Sequence, residues 1–191
     1  MVSLQDKKVL LIGVGGVGSH VAVALCRAGI GQLEIVDFDV VDESKLGRQY
    51  YEVNDVGVLK VEAMKGHLNR MNPNCEVIVH NECLTPERLS ELIDGYDMVV
   101  EAVDKAVTKA WMTEVILTHP AEPLLVGCSG MAGWGDSNGI RRERRHHRWY
   151  LCGDGVSDID SIGKITAARV MVCAGHMANA VIQLLHGEDI D

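Results

Sequence analysis

The stretch LLIGVGGVGSH, residues 10 to 20, narrows what this chain can fold into more than any other part of it. A short apolar run that breaks into Gly13, Gly15, Gly16 and Gly18 reads as a buried strand, a tight turn and a helix that starts at once. Gly13, Gly15 and Gly18 fit the G-x-G-x-x-G spacing. Gly13 would permit the turn, Gly15 would let the backbone approach a phosphate, and Gly18 would let helix pack on strand. The helix start adds unpaired N–H groups and partial positive charge, which suit a bound phosphate. Asp37, 19 residues beyond Gly18 at the end of the next apolar run, is placed to hold ribose hydroxyls. Alone, the turn leaves NAD, FAD and ATP open.

The chain beyond it alternates. Strands are predicted at residues 7–13, 32–39, 75–84, 96–104 and 123–130, and helices at 16–28, 57–71, 86–93 and 105–118. Gly29 is a helix C-cap, and Thr85-Pro86 an N-cap followed by the first helical residue. Such alternation implies an α/β, Rossmann-like, doubly wound and mainly parallel sheet with helices on both faces, here a single domain over residues 1–191. Ligands of these sheets bind beyond the carboxyl ends of the strands. The glycine turn, Asp37, Asp39, Asp104 and Cys128 all fall there. Past residue 130 the pattern becomes irregular or antiparallel until an apolar helix closes the chain. That helix is apolar on more than one face, so it is either buried or half of a homodimer interface, with Ala174, Gly175 and Ala178 permitting close approach.

Composition removes several classes. Hydrophobic residues make up 47% and charged ones 24%, as in ordinary globular proteins. The start lacks the run of a signal peptide, and Arg169, His176, Asn179 and Gln183 interrupt the last helix as a membrane span, so the expectation is a cytoplasmic protein. None of the six cysteines forms a Cys-x-x-Cys pair, which favours free thiols, and both Cys128 and Cys152 read as small buried residues. A net charge of −9 argues against nucleic acid as a partner. Residues 141–148 run against that average with five Arg and one Glu, and read as a solvated strand or loop, or as a clamp for phosphate.

The loop after Asp37 supplies a resemblance. Gly-x-Gly-Gly-x-Gly, Val-Asp-x-Asp-x-Val, Leu-x-Arg-Gln and Gly-x-x-Lys-x-Glu-Ala follow in order, then EAVDKAVTK, SGMAGWGDSN and YLCGDGVS. This series resembles the ubiquitin-activating E1-like superfamily, and within it the ThiF, MoeB and HesA group, over about residues 7 to 187. The resemblance implies an adenylyltransferase: the Gly-Gly carboxylate of a ThiS-like sulfur carrier protein attacks the α-phosphate of ATP, giving an acyl-adenylate and pyrophosphate. Thiamine biosynthesis is the first expectation. The carrier's carboxylate is itself the nucleophile, so the enzyme has to position it and neutralise a triphosphate. By motif position, Asp37 and Asp39 would serve the ribose side of the pocket, and Arg48 and Lys60 the phosphates. Gln49 would support them by hydrogen bonding, and Asp104 would bind Mg²⁺. A homodimer is implied as well.

The chain also departs from the pattern. Lys45 stands where many relatives have Asn. An N-terminal Arg that many relatives lend to the partner subunit's site has no counterpart, and the 141–148 cluster is a candidate replacement. The two zinc-binding Cys-x-x-Cys pairs of longer members are missing, so no zinc is expected. Two other functions compete: an NAD- or FAD-dependent oxidoreductase, and a non-catalytic nucleotide-binding subunit of an E1-like pair.

Overall fold

The computed structural model describes residues 3–190. Its frame is one sheet of seven strands, β1 (Lys8–Ile12), β2 (Gln32–Val36), β3 (Glu76–His80), β4 (Met98–Glu101), β5 (Leu124–Cys128), β6 (Arg141–His146) and β7 (Trp149–Gly153). Their order is β3-β2-β1-β4-β5-β7-β6, and only the β6–β7 pair is antiparallel. The helices are α1 (Gly16–Ala28), α2 (Lys60–Met71), α3 (Pro86–Ile93), α4 (Ala106–Thr118), α5 (Ile159–Ile162) and α6 (Ala167–Leu185). This is the expected doubly wound sheet. Because β1 lies between β2 and β4, the direction of winding reverses at β1 and opens a crevice beyond its carboxyl end.

Alternation along the strands divides the core into two layers. Val9, Leu11, Leu33, Ile35 and Val100 face α1, α2 and α6, while Leu10, Ile12, Val99 and Leu125 face α3 and α4. Both faces are covered, which is why β1 reads as an unbroken apolar run. The predicted caps are present: Gly29 follows α1 at φ 90°, and the Thr85 hydroxyl accepts the Arg88 N–H ahead of α3.

Several boundaries differ from expectation. β2 stops at Val36 and β3 at His80: the Asp37 N–H makes a last bond to the His80 carbonyl, while its carboxylate turns to the Val14 N–H. α2 begins at Lys60, since Val58 and Leu59 are used in a loop: the Val58 carbonyl accepts the Val41 N–H, and Leu59 bridges Val40. Strand β7, unforeseen in WYLCG, lies parallel to β5, and the basic segment forms the edge strand β6 beside it. Ala174 and Ala178 are buried within the chain, where their small side chains let α6 pack closely against its own core. They are therefore not free for a partner helix. The outer face of α6 carries Met171, Gly175, His176 and Asn179. All six cysteines are free thiols, and Cys83 alone is exposed.

Candidate functional site

The four glycines of the turn do two different jobs. Gly13 has φ +88°, and a Cβ on it would lie 2.8 Å from the Ala102 carbonyl oxygen. On Gly18 a Cβ would come within 1.9 Å of the Gly13 oxygen. These two are glycine because strand, turn and helix meet there. At Gly15 the nearest atom to a Cβ would be Gln49 Nε2 at 3.8 Å, and at Gly16 a Val170 methyl at 3.6 Å. Protein packing does not demand glycine at these two, which leave the turn bare. Gly15 is the N-cap of α1 and supplies no side-chain bond, so the helix start faces the crevice uncapped.

Asp37 is tied into this turn. One carboxylate oxygen accepts the Val14 N–H (2.8 Å), the other the Asp39 N–H (2.9 Å). Asp39 is exposed and receives the Lys60 ammonium at 2.6 Å. Lys60 is thus no loose surface cation: it is the first residue of α2, 5% exposed, its amine aimed at the loop after β2. Tyr51 locks both pieces together. Its buried hydroxyl donates to the Val14 carbonyl (2.8 Å) and lies 3.3 Å from that of Lys60. Burial, reinforced by the negative charges of Asp37, Asp55 and Asp39, pushes the phenol's pKa far up.

Arg48 and Gln49 stand beside the glycines on the loop between β2 and α2. The Ser19 hydroxyl accepts the Tyr50 N–H (2.9 Å), His20 Nε2 lies 3.3 Å from the Arg48 carbonyl, and the Tyr50 ring meets His20 and His67 edge-on. Burial holds His20 below its ordinary pKa against that carbonyl bond, so the imidazole stays neutral. The Arg48 side chain is half-buried and has no hydrogen bond among the described residues. Gln49 is 8% exposed, and its Oε1 is buried without a partner. An orphaned buried acceptor is costly and marks a place where a donor belongs. An uncapped helix start, an unpaired guanidinium and a paired ammonium around two bare glycines are what a polyphosphate needs.

Asp104 follows β4. It is exposed and does not cap α4, whose N-cap is Lys105. A free carboxylate at a strand end is a hard oxygen donor of the kind Mg²⁺ takes. Among the described residues no group of three His, Cys, Asp or Glu could hold a metal ion. A divalent cation at Asp104 would therefore draw its remaining ligands from phosphate oxygens and water, as Mg²⁺ usually does beside nucleotides.

Sequence reasoning missed the residues behind Asp104. Glu101 ends the apolar strand β4 at 3% exposure, and its carboxylate accepts the Val103 N–H and the Lys109 ammonium, each at 2.8 Å. Lys109 also lies 3.6 Å from Cys128 Sγ. Burial opposes its charge, yet Cys128 and Glu101 outweigh burial and raise its pKa. The signal was a Glu closing a buried strand, with a Lys eight residues on in the next helix.

The 141–148 segment does not reach the crevice of β1. It lies on the far edge of the sheet, where Arg141 and Arg145 pair with Glu143, Arg144 with Asp189, and Arg148 with the carbonyls of Leu117 and Pro123. Within this chain the segment is therefore an edge strand of largely ion-paired arginines. Nearer the crevice, beyond β5 and β7, Arg169 of α6 is 5% exposed and bonds Asp154 (2.5 Å) and the carbonyls of Asp136 (2.7 Å) and Met131 (3.4 Å). It floors a shallow cavity of about 290 Å³ rimmed by Trp134 and Ile162, with Met171 also exposed on α6.

Fold and crevice together define a Rossmann-like α/β protein whose glycine turn lies at the winding reversal. The sequence model of the ThiF family matches residues 1–191, and the chain belongs to that family. It is 37% identical over 120 residues to the adenylyltransferase and sulfurtransferase uba4 of Aspergillus niger, covering 61% of this chain and 25% of that one. It is 33% identical over 129 residues to the tRNA threonylcarbamoyladenosine dehydratase of Haemophilus influenzae, covering 66% and 49%. The chain thus spans between a quarter and a half of these curated relatives. Among solved structures, the Escherichia coli tRNA N6-threonylcarbamoyladenosine dehydratase TcdA superposes with a TM-score of 0.84 at 22% identity, covering 96% of this chain and 87% of that one. A complex of that enzyme with ATP gives 0.81 at 23% identity, covering 97% and 90%, and Escherichia coli MccB gives 0.74 at 22%, covering 97% and 57%.

Proposed function

We propose that this protein is an ATP-dependent adenylyltransferase, one nucleotide-binding domain that activates the C-terminal Gly-Gly carboxylate of a ThiS-like sulfur carrier protein and releases pyrophosphate. The observation that carries this is the gathering of Arg48, Gln49, Lys60, Asp37 and Asp39 around two glycines that protein packing leaves bare. Hydride transfer has no use for such a cationic set. In this reading the backbone of Gly13, Gly15, Gly16 and Gly18 cradles the phosphates, Arg48 and Lys60 balance their charge, and the Gln49 amide donates from Nε2 to a phosphate oxygen. Asp37 and Asp39 serve the ribose, and Asp104 holds Mg²⁺, which would neutralise phosphate oxygens. The carrier would rest on the apolar rim beyond β5 and β7, where Trp134 is 69% exposed. The protein acts as a homodimer through surfaces other than Ala174 and Ala178, in a compartment that keeps its thiols reduced.

A second substrate class has an observation in its favour. The likeness to the threonylcarbamoyladenosine dehydratase extends over 87% of that solved chain, so a carboxylate on a modified tRNA nucleoside is the rival substrate. The charge of −9 weighs against it. Pyrophosphate exchange with MgATP separates the two. Exchange that requires a Gly-Gly-ended carrier supports the proposal, exchange that requires tRNA transfers the site to the rival, and ATP binding without exchange in either case leaves a non-catalytic subunit.

A further inference from the structure

The group formed by Glu101, the partly buried Lys109 and Cys128 is not used by the chemistry above, yet it holds both ends of the segment that carries Asp104. Glu101 is the last residue of β4, and Lys109 belongs to the first turn of α4. Between them run only Ala102 to Ala106 and the two residues after it. The Ala102 N–H donates to the Ile12 carbonyl (2.8 Å), and its own carbonyl abuts Gly13. The Val103 N–H is taken by Glu101, and the Lys109 N–H by the Lys105 carbonyl (3.0 Å). The Asp104 side chain makes no hydrogen bond or ion pair among the described residues, so its place is set by the backbone on either side of it. Room for the Glu101 carboxylate comes from the next strand: a Cβ on Gly127 would lie 3.3 Å from Glu101 Oε2. The Lys109 ammonium closes the arrangement by reaching over the end of the sheet toward Cys128.

We propose that Glu101 and Lys109 are positioning residues for Asp104, pinning the start of α4 to the end of β4 so that the Asp104 carboxylate meets a divalent cation on the bound nucleotide. The inference rests on the adenylation reading. A buried ion pair costs desolvation at both ends, and a pair of apolar side chains would fill the same space. The pair pins the connection in a way that apolar side chains cannot, because Glu101 Oε1 bonds a backbone N–H and an ammonium from opposite ends of the segment. Groups behind a metal ligand act on metal affinity through the ligand's orientation, and their removal costs about 10–100-fold.

The test is Mg²⁺ titration of the ATP-loaded protein by calorimetry, with ATP affinity in EDTA as a separate readout. Lys109→Met and Glu101→Gln should each weaken Mg²⁺ binding about 10–100-fold and leave metal-free ATP affinity unchanged. Lys109→Arg, which keeps the charge, should recover most of the loss. Asp104→Ala should match the loss, and Asp104→Ala with Lys109→Met should be no worse than Asp104→Ala alone, because the two act as a unit. Additive losses would overturn the proposal. So would a fall in metal-free ATP affinity in Lys109→Met, which would make Lys109 a direct phosphate contact. If Lys109→Met fails to fold, Glu101→Gln, alone and combined with Asp104→Ala, carries the same comparison, with Lys109→Arg as the charge-keeping control. A wild-type protein that binds no ATP refutes the adenylation reading itself, a different result from ATP binding with unaltered Mg²⁺ affinity in the variants.

Discussion

Two glycines three positions apart should respond oppositely to the same methyl group. In Gly18→Ala the new Cβ meets the Gly13 oxygen at 1.9 Å, so the fold has to give way. A loss of at least about 1–3 kcal/mol in urea unfolding is expected. Gly15→Ala should fold normally and lose ATP affinity instead, by about tenfold, since the methyl occupies space left for phosphate. Equal destabilisation in both would contradict this division. Tyr51 gives a prediction in pH. Its folded pKa is raised, so the folded state keeps the phenol proton when the unfolded chain releases it. That stability is fully present below the phenol's ordinary pKa of about 10 and is lost as pH rises beyond it. Denaturation curves from pH 8 to 11 should therefore fall more steeply for the wild type than for Tyr51→Phe. The variant should also start about 1–3 kcal/mol less stable at neutral pH, having left the Val14 carbonyl unpaired.

At the scale of elements, the start of α6 is held by one buried polar side chain. Arg169 fastens its first turn to the loops after β5 and β7. Arg169→Met would strand the Asp154 carboxylate, and about 3–5 kcal/mol should be lost in chemical denaturation. Hydrogen exchange should rise in residues 131–139 and 154–166 ahead of the sheet. These elements also show what could be read in the sequence. β1, α1 and α3 were legible because glycines, a Thr-Pro cap and short apolar runs state their ends locally. β7 was not. WYLCG follows a basic stretch with no turn signal between them, and its strand character comes from lying beside β5, a partner about 25 residues earlier. The start of α2 was misplaced for a similar reason, since Val58 and Leu59 look helical until the strand-like bridge to Val40 claims them. Asp37, from its spacing to the glycines, and Lys60, from the family motif, were expected near the glycine turn, and the loop after β2 brings both there. The Glu101–Lys109 pair was not, because an acid at the end of a strand looks solvent-bound until its neighbours close over it.

For the molecule as a whole, ligand linkage offers a direct check. A nucleotide that binds only the folded state at 100 times its dissociation constant adds about 2.7 kcal/mol. MgATP should therefore raise the midpoint of thermal unfolding by several degrees, and NAD should leave it in place. A shift with NAD alone would restore the oxidoreductase reading. The sheet reverses direction at β1 and ends at β6, and these two places have opposite relations to other molecules. The first is open to a ligand. The second is an edge whose unpaired backbone could take up the strand of another molecule. Arg141, Arg144 and Arg145 keep positive charge along it, two of the three paired within the strand with Glu143. Neutralising that charge would leave nucleotide binding untouched and turn the border of the sheet into a template for fibril growth, so shelf life at high concentration is set at the end of the molecule farthest from its chemistry.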